Sequence, residues 1–163
     1  MSSPKASLLG SHQGSSPALD RRGWNLALAF QEVFTAIVRL RYNRQSVPSA
    51  EAFRGHIKKA LRVAEQEARS GGYSAEDSQA AVFALVVFLD ESALGCRNPA
   101  FSGWAGLPLS TELYSHQEGG EIFFEHLKKA LNRGESRETA DLLEVYYLCL
   151  LLGFKGRYAA GGD

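Results

Sequence analysis

Val82-Phe83-Ala84-Leu85-Val86-Val87-Phe88-Leu89-Asp90-Glu91-Ser92-Ala93-Leu94 is the stretch whose reading decides the fold. Ala80 to Leu89 carries no charge, and two carboxylates follow at once. In a chain with 22% charged residues such a run belongs at the centre of a core. It does not alternate with period two. Upstream, Ser74-Ala75-Glu76-Asp77 resembles a capping box with Asp in place of Glu, so the run reads as a helix from Ser74 to Leu94 stopped by Gly95. That helix is apolar around most of its circumference and needs neighbours on most sides. Asp90 and Glu91 cannot be buried unpaired; they must reach water, a partner or donor groups.

The flanking sequence supplies the neighbours. Leu26, Phe30, Val33, Ile37 and Leu40 are spaced four, three, four and three apart, which predicts one helix from Ala18 to about Tyr42. Pro48 breaks the chain, and Ser49 caps a second helix with Phe53, Ile57, Leu61, Ala64 and Ala68 inward, ended by Gly71-Gly72. Cys96 to Pro108 reads as a loop around Trp104, and Leu109 to Tyr114 as a short helical turn. A helix from about Glu121 to Leu131 directs Phe123, Phe124, Leu127 and Leu131 inward. Ser136 caps a last helix, Arg137 to Leu152, ended by Gly153. The expectation is an all-α fold of five or six main helices. Met1 to Pro17, rich in Ser, Gly and Pro, reads as a disordered tail, leaving 18–158 as the folded domain.

Eighteen basic and 18 acidic residues balance, which argues against duplex DNA or an anionic bilayer surface as a bulk electrostatic partner. No signal peptide is visible at the N-terminus, and no apolar run is expected to approach the roughly 20 residues of a membrane-spanning helix. Cys96 and Cys149 read as buried thiols of a reducing compartment. His116 and His126 lack the spacing of a zinc site, so no metal or other cofactor is expected. Asp90 and Glu91 point about 100° apart on a helix and do not converge on one substrate atom, so they are not read as a catalytic pair. Two roles stay open for them. One is a latch that accepts backbone donors of the following loop or pairs with an arginine such as Arg97. The other is the acidic lip of a partner-binding groove.

Three segments together resemble one family. They are Phe83 to Leu94 followed by Trp104, Gly119-Gly120-Glu121-Ile122-Phe123-Phe124-Glu125-His126-Leu127, and Asp141 to Tyr158 with its Gly153-Phe154-Lys155-Gly156-Arg157-Tyr158 end. Their order and spacing are similar to the cytoplasmic domain of the DotU/TssL (IcmH-like) proteins of bacterial type VI and type IVB secretion systems. The resemblance runs from about Trp24 to Tyr158.

It implies two three-helix bundles in a hook-like single domain with no enzymatic activity. It also implies an adaptor in a membrane complex at the cytoplasmic face of the inner membrane. The implied partners are an IcmF/TssM-like protein and baseplate components, with weak self-association besides and no nucleic acid. The family continues past Gly-Arg-Tyr to a membrane helix, so 159–163 is expected as a flexible end and the anchor is not in this chain. The expected partner-binding set is an acidic cleft of Asp90, Glu91, Trp104, Glu118 and Glu121. Gly153, Phe154, Gly156, Arg157 and Tyr158 form the expected structural motif, in which Gly153 ends the helix left-handed and Phe154 folds back on the core. The competing expectation is an all-helical enzyme or small-ligand regulator built on Cys96, His116 and His126.

Overall fold

The computed structural model describes residues 25–44, 47–115 and 118–158, the side chain of Arg157 excepted. The expected tail at 1–17 and the expected end at 159–163 lie outside the described residues, as does His116. Among those described, the chain forms seven α-helices and no strand. They are α1 (Leu26–Ala29), α2 (Gln31–Arg41), α3 (Ala50–Ser70), α4 (Ala75–Gly95), α5 (Leu109–Tyr114), α6 (Gly119–Leu131) and α7 (Arg137–Leu151). Short 3-10 turns occupy Pro99–Phe101, Trp104–Gly106 and Gly156–Tyr158.

Local signals start these helices where the sequence places them. The Ser49, Ser74 and Ser136 hydroxyls accept from the amides of Ala52, Asp77 and Thr139, each satisfying a donor that the first turn leaves unpaired. The Asp77 carboxylate turns away from its own cap. It takes two bonds from Arg133, at 2.6 and 3.2 Å, and so ties the α6–α7 turn to the start of α4.

Every residue of α4 from Ala81 to Asp90 is buried. The helix is long and apolar enough to cross a membrane, but 72% of its most apolar window is buried among the other helices. It belongs to two groups of three. The helices α2, α3 and α4 touch one another on one side, and α4, α6 and α7 touch one another on the other. Sharing α4 merges the two groups into one core, in which each buried Leu, Val or Phe contributes about 1.5–3 kcal/mol.

The first helix differs from the expectation. Its described part is broken at Phe30, whose amide bonds to Ala27 O at 3.1 Å in a tightened turn. The break lets α1 lie against α3 and α7 while α2 lies along α4. A single straight helix could not cover both directions. Leu131 is also not inward. It is 52% exposed at the C-terminal end of α6, where the turn of the chain carries it off the core face.

Burial sets a limit at high pH. The Tyr114 phenol is pushed up to about 12 by desolvation, with Glu65 adding to it. Burial raises Tyr146 as well, and it raises Tyr73, whose hydroxyl donates to Asp141. An unfolded tyrosine releases its proton near pH 10, before the folded one does. The stabilising contribution is therefore complete below about pH 10 and is lost as pH rises towards 12. Thermal melts should keep their midpoint up to about pH 10 and fall as pH rises towards 12. A midpoint unchanged across that range would contradict this.

Candidate functional site

The adjacent carboxylates at the end of α4 diverge and do different work. Asp90, 6% exposed, faces the loop that follows α4. Its Oδ1 accepts from Trp104 Nε1 at 2.8 Å and from the amide of Leu109 at 2.7 Å, and its Oδ2 accepts from the amide of Ser110 at 2.8 Å. Pro108 leaves α5 without a side-chain cap of its own, so Asp90 caps that helix from another element. The three donors are uncharged. They are held in place by packing: Trp104 lies against Phe53 and Phe101, and the Arg54 guanidinium covers the indole at 4.1 Å. Arg54 also donates to Leu107 O at 2.5 Å, closing the loop over the ring.

Glu91 turns to the C-terminal end of the chain. It accepts from the amide of Gly156 at 2.8 Å and from that of Lys155 at 3.1 and 3.3 Å. Two successive amides aimed at one carboxylate make a small anion-holding concavity. Arg41 of α2 completes the arrangement. It lies 3.6 Å from Glu91, donates to Ser92 Oγ at 3.1 Å and to Gly153 O at 3.0 Å, and rests over the Phe88 ring.

The turn that receives these bonds ends α7. Gly153 has φ 117°; its amide reaches Leu150 O and the next amide reaches Cys149 O. This double closure satisfies the last carbonyls of the helix and sends Phe154 back into the core, 4% exposed, against Phe88 and Phe123. Gly156 has φ 56°, and a Cβ there would lie 2.9 Å from Gly120 O and from the rings of Phe124 and Phe154. Tyr158 meets Phe124 edge-on.

These positions revise the acidic cleft. Asp90 and Trp104 come together, but both are buried inside the molecule. Burial and three directed donors take Asp90 out of the surface set. Glu91 is half-buried and engaged by the 153–156 turn; its cation is Arg41 rather than Arg97, whose backbone amide donates to Asn43. Glu118 and Glu121, at the start of α6, remain exposed. They border the same turn as Glu91, since Gly156 lies between Glu91 and Gly120.

Sequence reasoning did not single out Arg41 or Arg54. Of the Cys96, His116 and His126 set, His116 lies outside the described residues. His126 packs against Phe83, and Cys96 lies thirteen residues further along, about 20 Å at the helical rise. Cys149 is fully buried, with burial pushing its thiol up, whereas Cys96, expected to be buried as well, is only partly covered at the end of α4.

Comparisons with known proteins agree on one family. Residues 25–163 match the family described as "Type VI secretion system protein DotU". The cytoplasmic domain of TssL from Acinetobacter baumannii superposes with a TM-score of 0.74 at 31% identity, covering 83% of this chain and 86% of that one. SciP/TssL from enteroaggregative Escherichia coli 042 superposes with a TM-score of 0.68 at 22% identity, over 81% of this chain and 75% of the other, a likeness of fold. No curated protein matches the chain significantly.

Proposed function

Because the chain belongs to the DotU family of type VI secretion system proteins, we propose that it is a non-enzymatic adaptor of the secretion membrane complex. In this reading the helical domain faces the cytoplasm at the inner membrane. It docks an IcmF/TssM-like membrane protein and cytoplasmic baseplate components. The observation that carries the reading is the family match along residues 25–163, together with 31% identity to a TssL cytoplasmic domain. The site geometry supports it. The end of α4 is a mechanical junction: Asp90 holds the loop and α5, while Glu91 holds the chain exit. A junction of this kind presents surfaces in fixed relative positions.

Within the acidic set, Glu118 and Glu121 are the residues a partner can touch. A cationic segment of a secretion-system partner would meet them beside the 153–156 turn. Reversing both, Glu118→Lys with Glu121→Lys, should weaken binding of the IcmF/TssM-like protein or a baseplate component about tenfold, or about 1.4 kcal/mol. The melting temperature should stay unchanged, because both side chains are exposed. Titration calorimetry with the purified partner measures this. Unchanged affinity in the folded variant would reject the acidic contact. Absence of any secretion-system partner in cross-linked complexes from the source cells would reject the adaptor.

A further inference from the structure

The most exposed large apolar side chains among the described residues gather at one end of the bundle. Leu151 is 81% exposed, Tyr42 72% and Leu94 53%. They stand at the C-terminal ends of α7, α2 and α4. Side-chain bonds hold these ends together. Arg41 of α2 donates to Ser92 Oγ of α4 and to Gly153 O after α7, and Asn43 Oδ1 accepts from the amide of Arg97. Exposed cations surround the apolar tips: Arg39 and Arg44 beside Tyr42, Arg97 past Leu94 and Lys155 past Leu151. A helix C-terminus carries roughly half a negative charge, and together these cations exceed what such an offset needs. Arg41 and Glu91 pair with each other. The start of α3 also lies at this end, since Phe53 packs on the Trp104 that Asp90 holds, and it brings the exposed Glu51. Glu118 and Glu121 begin further back. Gly119 lies against Val87, seven residues before Leu94, or about 10 Å along α4 and about one screening length in physiological salt. The charges of the whole chain balance, but this end has a cationic surplus.

We propose that this end is a contact face for an anionic lipid surface. Arg39, Arg44, Arg97 and Lys155 meet the headgroup phosphates, while Leu151, Tyr42 and Leu94 enter the boundary between headgroups and acyl chains. Leucine and tyrosine interleaved with arginine and lysine is the composition of an interfacial anchor. The form of the patch favours a membrane over an acidic protein segment. Its apolar side chains protrude singly from three helix ends rather than facing one another across a groove. A laterally adaptable surface takes up such tips one at a time. Each basic residue adds a small attraction to an anionic leaflet, and three shallow apolar tips add a little more, so the contact is weak and reversible. It turns the ends of α2, α4 and α7 to the lipid and leaves the α3–α4 and α6–α7 turns facing away. The inference rests on the inner-membrane reading only for which leaflet is met; the contact itself is argued from the surface.

Co-sedimentation with vesicles tests it without any partner protein, so its failure leaves the adaptor reading standing. Vesicles of phosphatidylethanolamine with about 30% phosphatidylglycerol should carry the protein down, and vesicles of phosphatidylcholine alone should not. Raising the salt from about 0.1 to about 0.5 M should release it. Arg44→Glu with Arg97→Glu should lower the partition coefficient at least about tenfold, and Leu151→Glu about threefold or more. These side chains are exposed, so the melting temperature should not change. The same reversal at the far end of the bundle, Arg69→Glu with Lys128→Glu, should leave binding as it was. Protein that stays in solution with the anionic vesicles overturns the proposal, including a face covered by some other protein instead. Equal binding to phosphatidylcholine overturns it too. So does binding that is indifferent to Arg44→Glu with Arg97→Glu, or that falls equally with Arg69→Glu and Lys128→Glu.

Discussion

Replacing Asp90 with leucine is expected to cost about 3–5 kcal/mol and to lower the melting temperature by roughly 10 °C. Leucine fills a similar volume but offers no acceptor. The Trp104 indole N–H and the amides of Leu109 and Ser110 would stay buried without partners, at about 1–3 kcal/mol each. Some of that cost is recovered if the loop opens to water. The variant should then show fast amide exchange at Leu109 and Ser110 while α4 and α7 stay protected. Asp90→Asn keeps one acceptor and should cost about half as much. Charge reversal at this position cannot report on a partner, because a buried lysine facing three donors unfolds the loop first. A melt for Asp90→Leu within about 2 °C of the parent would show that these bonds are worth little in net terms.

The second large effect is expected at Gly153. Gly153→Val should destabilise the fold by about 3 kcal/mol, seen as a lower urea midpoint. Two costs add. A φ of 117° is rarely adopted by L side chains and is worst for β-branched ones. A Cβ at this position would also stand 2.5 Å from Arg41 Nη2 and 3.0 Å from its Cζ. The guanidinium would have to leave Gly153 O and with it the neighbourhood of Glu91. The turn would loosen and Phe154 would lose its fixed place between Phe88 and Phe123. An unchanged urea midpoint would mean that the turn re-forms in another conformation at no cost.

Much of the helical layout was legible beforehand because helix signals are local. Ser49, Ser74 and Ser136 stand one residue before the helices they cap, and the inward stripe of α3 follows from spacing alone. The break at Phe30 was not legible. The apolar spacing from Leu26 to Leu40 continues through it, and only the need to cover α4 and α7 at once interrupts the helix. The roles of Arg41 and Arg54 were hidden for a similar reason. Long cationic side chains on amphipathic helices look alike in sequence, whether they reach water or fold back over Phe88 and Trp104.

The Leu89-Asp90-Glu91 junction separates what each level determines. The sequence by itself established that an apolar helix ends in two carboxylates, that the helix lies at the centre of an all-α core, and that the two carboxylates point apart. Periodicity, composition and the 100° step between neighbours suffice for that. Only the tertiary structure decided what each carboxylate holds. The partners of Asp90 come from 14 to 20 residues further along, and those of Glu91 from 64 and 65 residues further along and from α2. A hydrogen bond is directional and short, so its partner depends on where distant segments are brought, and no local pattern carries that information.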